Sequence, residues 1–505
     1  MSLSGELSGA SLDAMLKKYF NYSTFRNLQK EIIEDMLAGN DMLILMPTGA
    51  GKSICYQLPA IIEPGLTVVI SPLISLIYDQ IADLKLHGIK AHYLCSTSPV
   101  SMYDVFDDVR KGEVKLLYTT PETFNKNTEL SRYLHDCHIR RFIIDEAHCL
   151  SNWGHDFRSE YLRLDMRGQF PDVPICGFTA TATKLVCADI IERMKLKNPL
   201  MWMTSYVKPN ISYQVALKEK NDWGYIVQVV SKFIRSGGYL NESGIVYCLS
   251  RKQCEMLATA LTKYDISAGF YHASMTPDKK NQVQQDWLDG KLKVIVATIA
   301  FALGINKPNV RFVIHTSMPN SIESYYQQAG RAGRDGKPSV ALMYYSAFDK
   351  DALEGMIDYS QQSKESPVTP FNRIGQMFKF CCNREDCLKL QLSNYLGEYN
   401  VNTCLKRGDT SHCQVCTKVN IKINFNAGSR ASSGSGTSTG LPVASSVSKI
   451  LSIIGNNKVD LQKLYQTATN LQDYRAVNYL LNTMQLETTV VGKAGKWTEY
   501  VWLKS

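Results

Sequence analysis

The chain has 505 residues, of which 45% are hydrophobic and 20% charged, with a formal net charge of +9. That length accommodates three or four domains, and the modest positive charge permits a polyanionic partner without demanding one. No run approaches about eighteen apolar residues, and the start, MSLSGELSGA, has no basic stretch leading into an apolar one. A membrane-spanning or secreted protein is therefore not expected.

From residue 12 to 205, apolar runs alternate with amphipathic segments: DMLILM, LTVVISP, VKLLYTT, RRFIIDE and PICGFTA are strand candidates. Strands apolar along their whole length, separated by helices, indicate a parallel sheet covered on both faces. After Lys208-Pro209-Asn210 a second set follows, SGIVYCL, ISAGFYH, LKVIVATI, VRFVIHT and PSVALMYY. The expected class is α/β, with two tandem parallel-sheet domains at 1–205 and 206–350. A helical, cysteine-bearing domain is expected at 351–426. Residues 427–445, AGSRASSGSGTSTGLPVAS, cannot build a core and read as a flexible linker. Residues 446–505 carry three helical patterns and then a hairpin, LETTVV and TEYVWL around GKAGKW, which suggests an abbreviated winged-helix-like module.

Between Met46 and Ser53 the chain reads MPTGAGKS, directly after an apolar strand and before a helical run. The first glycine of GxxxxGK[ST] is replaced by Met46, but Thr48, Gly49, Ala50, Gly51, Lys52 and Ser53 preserve the core. Glycines let backbone N–H groups wrap phosphate oxygens, Lys52 can reach the β/γ-phosphates, and Ser53 can ligate magnesium. Asp145, ending the strand FII, can hold magnesium through water, and Glu146 can orient or deprotonate the attacking water. No guanine-reading NKxD segment stands in a suitable place. Upstream, Tyr22, Arg26 and Gln29 offer an aromatic face, a guanidinium plane and an amide that could read adenine; local packing of Tyr22 and Phe25 is the alternative. In YYQQAGRAGRDG, Gln327, Arg331 and Arg334 are further candidates. Two arginines three apart on a helix start would share a face and neutralise transition-state charge on a γ-phosphate.

Trp153, His155, Phe157, Arg158 and Tyr161 crowd the segment immediately after the carboxylates. Aromatics and arginine stack on exposed bases without demanding a sequence, although a core role for the aromatics is the alternative. Eight of the fourteen cysteines are scattered from Cys55 to Cys254 and read as buried free thiols. The other six cluster, and Cys387, Cys404, Cys413 and Cys416 have the C-x₁₆-C-x₈-C-x₂-C spacing suited to one tetrahedral Zn²⁺. Cys381, Cys382 and His412 could compete; free core thiols and iron–sulfur ligation are the alternatives. In the last module Trp497 could cap the end of a duplex, with Tyr500, Lys493 and Lys496 beside it, or simply pack the wing.

MPTGAGKS, SPLISLIYDQ, TTPE, DEAHCLSNWGHDFR, GFTATAT, VIVATIAFALGINKP and YYQQAGRAGRDG occur in the order found in RecQ-family DNA helicases, which the chain resembles over roughly residues 12–417. FRNLQ is similar to that family's adenine-reading segment, and CLSNWGHDFR is characteristic of RecQ proteins. The resemblance implies an ATP-dependent 3′→5′ DNA helicase using ATP, Mg²⁺ and a structural Zn²⁺. Its partner would be single-stranded DNA and forked or 3′-tailed duplex, its setting DNA repair and recombination, and its address intracellular, nuclear in a eukaryote. It also implies that Trp153, Phe157 and Arg158 couple DNA binding to hydrolysis, with His148 and Gln327 relaying the signal. Ser71, Ser75, Thr120, Ser250, Arg251 and Thr298 are candidate contacts to the DNA backbone. The chain departs from the family pattern at Ala302 for glycine, Asn306 and Asn309 for aspartates, and Gln328 for a common glutamate. A DNA translocase, remodeler or annealing factor with little unwinding is the second reading, and a non-enzymatic nucleic-acid-binding scaffold the third.

Overall fold

The computed structural model describes residues 11–95, 98, 100–151, 158–218, 222–301, 307–357, 370–383, 385–399 and 401–418, and the backbone of strands at 459–460, 486–493 and 496–503. It divides into two compact units, the chain passing from one to the other between Tyr206 and Val207, with Leu396–Glu398 returning to the first.

The first unit is built on β1 (Met42–Leu45), β2 (Leu66–Ile70), β3 (His92–Leu94), β4 (Leu116–Thr119), β5 (Ile139–Ile144), β6 (Ile175–Thr179) and β7 (Leu200–Met203). These form a seven-stranded sheet in the order β3-β4-β2-β5-β6-β1-β7, every neighbouring pair parallel. The runs expected as strands are its interior, and β1, β2, β4 and β6 are buried at every residue. Continuous apolar sequence is what a strand covered on both faces requires. The sequence pattern did not single out β3 and β7, which lie at the two edges, are short and carry exposed or half-buried side chains. Asp145 directly follows β5, Thr179 ends β6 and Met46 directly follows β1, so the ends of three neighbouring strands deliver the candidate site loops.

The second unit holds β8 (Ile211–Leu217), β9 (Ser243–Tyr247), β10 (Ala268–Tyr271), β11 (Val294–Ala297), β12 (Val310–His315) and β13 (Ser339–Tyr345). Their order is β10-β11-β9-β12-β13-β8, again all parallel. Helices Trp223–Ser236 and Arg251–Lys263 pack Val229, Val230, Ile234, Leu257 and Leu261 against Val246, Val296 and Ile314. The second of these helices opens on a capping box, Ser250 accepting from the Gln253 N–H and the Gln253 side chain accepting from the Ser250 N–H. Its buried ion pair, Lys218 Nζ to Asp349 Oδ1 at 2.5 Å, ties the end of β8 to the helix Ala347–Gly355.

The expected helix pair is present as Pro370–Cys382 and Leu388–Tyr395, followed by the short turns Cys404–Arg407 and Gln414–Thr417. This segment docks on β8, an edge strand: the Val215 N–H donates to Gln414 Oε1 (2.8 Å) and Ser212 Oγ to the His412 carbonyl (2.8 Å). An edge that would otherwise expose ladder groups is thereby covered. Further on, β14 (Val459–Asp460), β15 (Leu486–Lys493) and β16 (Lys496–Leu503) form an antiparallel sheet, β15 and β16 pairing from Leu486↔Leu503 to Lys493↔Lys496 as the expected hairpin. The linker 427–445 and the three helical patterns of the last module lie outside the described residues. No helix among the described residues is long and apolar enough to cross a membrane.

Two expectations are corrected. Arg331 and Arg334 do not begin a helix. The helix Ile322–Ala329 ends at Gly330, and both arginines occupy the turn that follows, where Gly333 takes φ +58°. The left-handed backbone at Gly333 keeps the turn from continuing as α-helix. Of the eight scattered thiols, Cys95 and Cys137 are only partly buried, since β3 is an edge strand and Cys137 lies in the turn before β5.

Candidate nucleotide and zinc sites

β1 runs into the glycine loop, where the Met46 N–H donates to the Thr179 carbonyl at 3.0 Å and fixes the loop beside β6. Gly49 and Gly51 take φ +84° and +85°, and the helix Lys52–Ile62 starts immediately afterwards. Positive φ at both positions lets the loop turn tightly, with the Ala50 N–H bonded to the Pro47 carbonyl (3.1 Å), into a helix N-terminus whose first amides lack intrahelical partners, an arrangement suited to phosphate. Gly51 has a second reason to be glycine: a Cβ there would press into the Gln29 side-chain amide. Gln29 donates to the Gly51 carbonyl (3.0 Å) and the Ala50 carbonyl (3.4 Å), and its Oε1 accepts from the Arg26 N–H (2.8 Å). Arg26 Nη1 in turn donates to the Gly49 carbonyl at 3.4 Å. The segment singled out as an adenine reader thus also braces the phosphate loop. Tyr22 stays 49% exposed, and Phe25 packs onto the core.

Asp145 and Glu146 are adjacent and both buried. Burial pushes Asp145 up to about 7, Glu146 adds to the rise, and the positive charge of Lys52 opposes it, while Lys52 Nζ itself donates to the Met46 carbonyl at 3.4 Å. Two buried carboxylates side by side are costly without a cation, which is the environment a divalent metal relieves. The Asp145–Glu146 pair therefore fits magnesium, with Ser53 half-buried one residue after Lys52. Glu146 adopts φ +48°, an uncommon conformation for a non-glycine residue. Its Oε2 lies 3.3 Å from His148 Nδ1, which is 2.9 Å from Thr179 Oγ1. Thr179 Oγ1 also accepts from the Thr181 N–H at 3.3 Å. Close buried polar contacts therefore run from Glu146, whose Oε2 meets His148 at ion-pair distance without a hydrogen bond, to the GFTATAT segment.

Trp153, His155 and Phe157 lie outside the described residues, but both ends of their segment are fixed. Ser151 Oγ donates to Asp189 Oδ2 (2.6 Å), while Arg158 Nη1 donates to the Pro72 carbonyl (2.8 Å) and its N–H to the Cys149 carbonyl (3.1 Å). Tyr161 is fully buried with its hydroxyl on the Asp145 carbonyl (3.0 Å), so it belongs to the core and not to a base-stacking surface. Among the proposed backbone contacts, Ser71 is buried, Ser250 and Thr120 cap helices, and Arg251 is held by Ser274. The Thr298 N–H donates to the Tyr271 carbonyl at 3.3 Å. The side chain of Trp497, like residues Ala302 and Asn306, lies outside what is described, and Asn309 is exposed.

In the second unit Gln327, Gln328 and Arg331 are buried. Burial and the neighbouring Arg331 both push Arg334 below the usual arginine range. Gln328 Oε1 lies 2.9 Å from Nε2 of buried His315, whose ring stacks on Tyr247.

The cysteine expectation is met in geometry. The Sγ atoms of Cys387, Cys404, Cys413 and Cys416 all lie within 4.8 Å of one another, and three of the four residues are buried. Cys413 Sγ is 3.7 Å from Cys387 Sγ and 3.8 Å from Cys404 Sγ. Zn–S bonds of about 2.3 Å at the tetrahedral angle give an S···S edge of about 3.8 Å, so the tetrad fits zinc. Cys381, Cys382 and His412 are not part of it.

A phosphate loop, a buried acidic pair two strands away and a second parallel-sheet unit define a two-unit P-loop NTPase, here with a four-cysteine metal cluster appended. Family models match as DEAD/DEAH box helicase over residues 26–189, helicase conserved C-terminal domain over 227–336 and RecQ zinc-binding over 347–417. RecQ-like DNA helicase blm-1 of Caenorhabditis elegans is 42% identical over 414 residues, 80% of this chain and 41% of that protein. ATP-dependent DNA helicase RecQ of Haemophilus influenzae is 40% identical over 412 residues, 80% of this chain and 63% of that one. Among solved structures, helicase MrfA bound to DNA and AMPPNP aligns with a TM-score of 0.56 at 19% identity, covering 77% of this chain and 57% of that one. Dbp5 of S. cerevisiae bound to RNA and ADP BeF3 aligns at 0.54 and 17% identity, covering 67% and 88%. These two likenesses concern the fold. The chain belongs to the RecQ family of DNA helicases, and it spans less than two thirds of the length of the curated relatives it matches.

Proposed function

We propose that this chain is an ATP-dependent DNA helicase that moves 3′→5′ on single-stranded DNA and unwinds tailed, forked or branched duplex in repair and recombination. The observation that carries the reading is the glycine loop leading into Lys52 at a helix start, in the same parallel-sheet unit as buried Asp145 and Glu146 and in a chain that also holds the cysteine tetrad. In this account Thr48, Gly49, Ala50, Gly51, Lys52 and Ser53 hold the phosphates, and Tyr22, Arg26 and Gln29 receive adenine. Ser53 and Asp145 would hold magnesium, whose charge, when present, offsets that of the phosphates. Glu146 orients and deprotonates the attacking water, while Arg331, Arg334 and Gln327 answer charge developing on the γ-phosphate. Trp153, His155, Phe157 and Arg158 take single-stranded bases, with Ser250, Arg251 and Thr298 along the backbone and Trp497 at the duplex end. The Glu146–His148–Thr179 chain supports a route by which DNA contact alters the water-activating carboxylate. Cys387, Cys404, Cys413 and Cys416 would hold a structural zinc, since four protein ligands leave no open position. The five-part division at 205, 350, 426 and 445 belongs to the same reading, as do an intracellular address, nuclear in a eukaryote, and a monomeric working state.

ATP hydrolysis measured with and without single-stranded DNA tests it. Strong stimulation in the wild type, lost in Lys52→Ala, is expected; binding of DNA with no hydrolysis in either protein would make the chain a scaffold instead.

A further inference from the structure

The segment Lys208-Pro209-Asn210 opens the second unit, and each of its residues is bound to something far away in sequence. Lys208 Nζ donates to the Gly330 carbonyl at 2.8 Å. Asn210 Nδ2 donates to the Gly333 carbonyl at 2.7 Å and the Lys337 carbonyl at 3.0 Å, and the Asn210 carbonyl accepts from the Ser339 N–H at 2.9 Å. Gly330 and Gly333 flank Arg331, and Gly333 immediately precedes Arg334. The fit at Gly333 leaves no room for a side chain, since a Cβ would run into the Asn210 amide, and φ +58° independently demands glycine. Asn210 is buried, so its amide is committed to these carbonyls.

Pro209 faces the other way. Its carbonyl accepts from the Ser411 N–H (2.9 Å), Lys389 Nζ (3.1 Å) and Thr410 Oγ1 (3.3 Å). Lys389 is itself buried, paired with Asp409 Oδ2 at 2.8 Å and bound to the Ser411 carbonyl at 2.7 Å. Asp409, Thr410 and Ser411 lie in the stretch between Cys404 and Cys413 of the metal cluster. One three-residue segment is thus bonded to the arginine turn on one side and the cysteine-cluster loop on the other.

We propose that Lys208 and Asn210 are positioning residues for ATP hydrolysis: they hold the turn that presents Arg331 and Arg334, and the loop between Cys404 and Cys413 anchors them through Pro209. The inference rests on the helicase reading above. Its physical content is that the two arginines carry no helix of their own. The Arg331 and Ala332 N–H groups still bond back to the Gln328 (3.2 Å) and Ala329 (3.1 Å) carbonyls of the helix end, but beyond Ala332 the turn is held from outside, by Lys208 and Asn210 on its carbonyls and by the bond from the Gly333 N–H to the Val310 carbonyl (2.9 Å). A misplacement of about 1 Å in a group that meets developing charge lowers rate by up to about 100-fold.

The test is a double-mutant cycle on the full chain, Asn210→Ala against Arg331→Ala, reading kcat and KM for DNA-stimulated ATP hydrolysis, zinc content and thermal melting. Asn210→Ala should lower kcat at least about 10-fold with KM for ATP little changed and zinc retained. In the Arg331→Ala background it should add almost nothing. Lys208→Ala should behave likewise more mildly, and Lys208→Arg should restore the rate. Lys389→Met, which removes the donor to Pro209 and leaves Asp409 paired with Arg407, should lower kcat in the same non-additive way. Full additivity of Asn210→Ala with Arg331→Ala, or unchanged kcat in Asn210→Ala and Lys208→Ala, would overturn the proposal. A wild type without DNA-stimulated hydrolysis would instead overturn the functional reading beneath it.

Discussion

The pair Gln328–His315 allows a stability change to be worked from the structure. His315 is fully buried, its ring lies between Tyr247 and Tyr325, and burial lowers it from 6.5 to about 4 despite the Gln328 contact at 2.9 Å. In the folded protein the imidazole is therefore neutral where an unfolded chain would protonate it. The stability this contributes is present above the unfolded value and is lost as pH falls through the window from 6.5 to about 4. The full difference corresponds to about 3 kcal/mol, of which about 2 kcal/mol is lost between about pH 7.5 and pH 5. Urea unfolding at those two pH values, on the wild type and His315→Gln, isolates the term, because the variant keeps every other titrating group. The wild type should lose about 2 kcal/mol more than the variant on acidification. In Gln328→Glu a buried carboxylate would favour the imidazolium, so the acid loss should shrink. Equal acid sensitivity in the wild type and His315→Gln would refute the reasoning.

Other consequences follow from individual contacts. Gly51→Ala should reduce ATP binding at least about 10-fold by titration calorimetry, because its Cβ displaces the Gln29 amide and φ +85° is strained for alanine. Thr179→Val removes the acceptor beside His148 at nearly constant volume. Basal hydrolysis should persist while the ratio of DNA-stimulated to basal rate falls several-fold, and an unchanged ratio would remove that hydroxyl from the coupling route. Metal analysis should find one zinc per chain in the wild type and none in Cys413→Ser, with a lower melting temperature, because Cys413 Sγ is close to two of the other thiols.

Much of the architecture was legible because burial on both faces leaves a plain mark. Strands such as MLIL and the FII end of β5 read as apolar runs, and the helices between them carry ordinary periodicity. β3 and β7 escaped because an edge strand of three or four residues, partly exposed, has no such pattern. The arginine turn was misjudged because AGRAGRDG offers alanines that favour helix and glycines that end it, and only tertiary contact decides between them. The phosphate loop, the acidic pair and the cysteine tetrad were visible as local spacing. Asn210 and Lys208, the Gln29 brace on the loop, and the ion pairs Lys218–Asp349 and Lys389–Asp409 were not. Each joins residues more than 18 positions apart through one polar atom, and a single lysine or asparagine in a sequence gives no sign of its partner.

Strand displacement from a duplex bearing a 3′ single-stranded tail, beside a 5′-tailed control and with Glu146→Gln in parallel, tests the central claim most directly. The account predicts ATP-dependent displacement from the 3′-tailed substrate alone, abolished by the substitution. DNA-stimulated hydrolysis without displacement of either substrate would contradict it and leave a translocase or remodeler in place of a helicase.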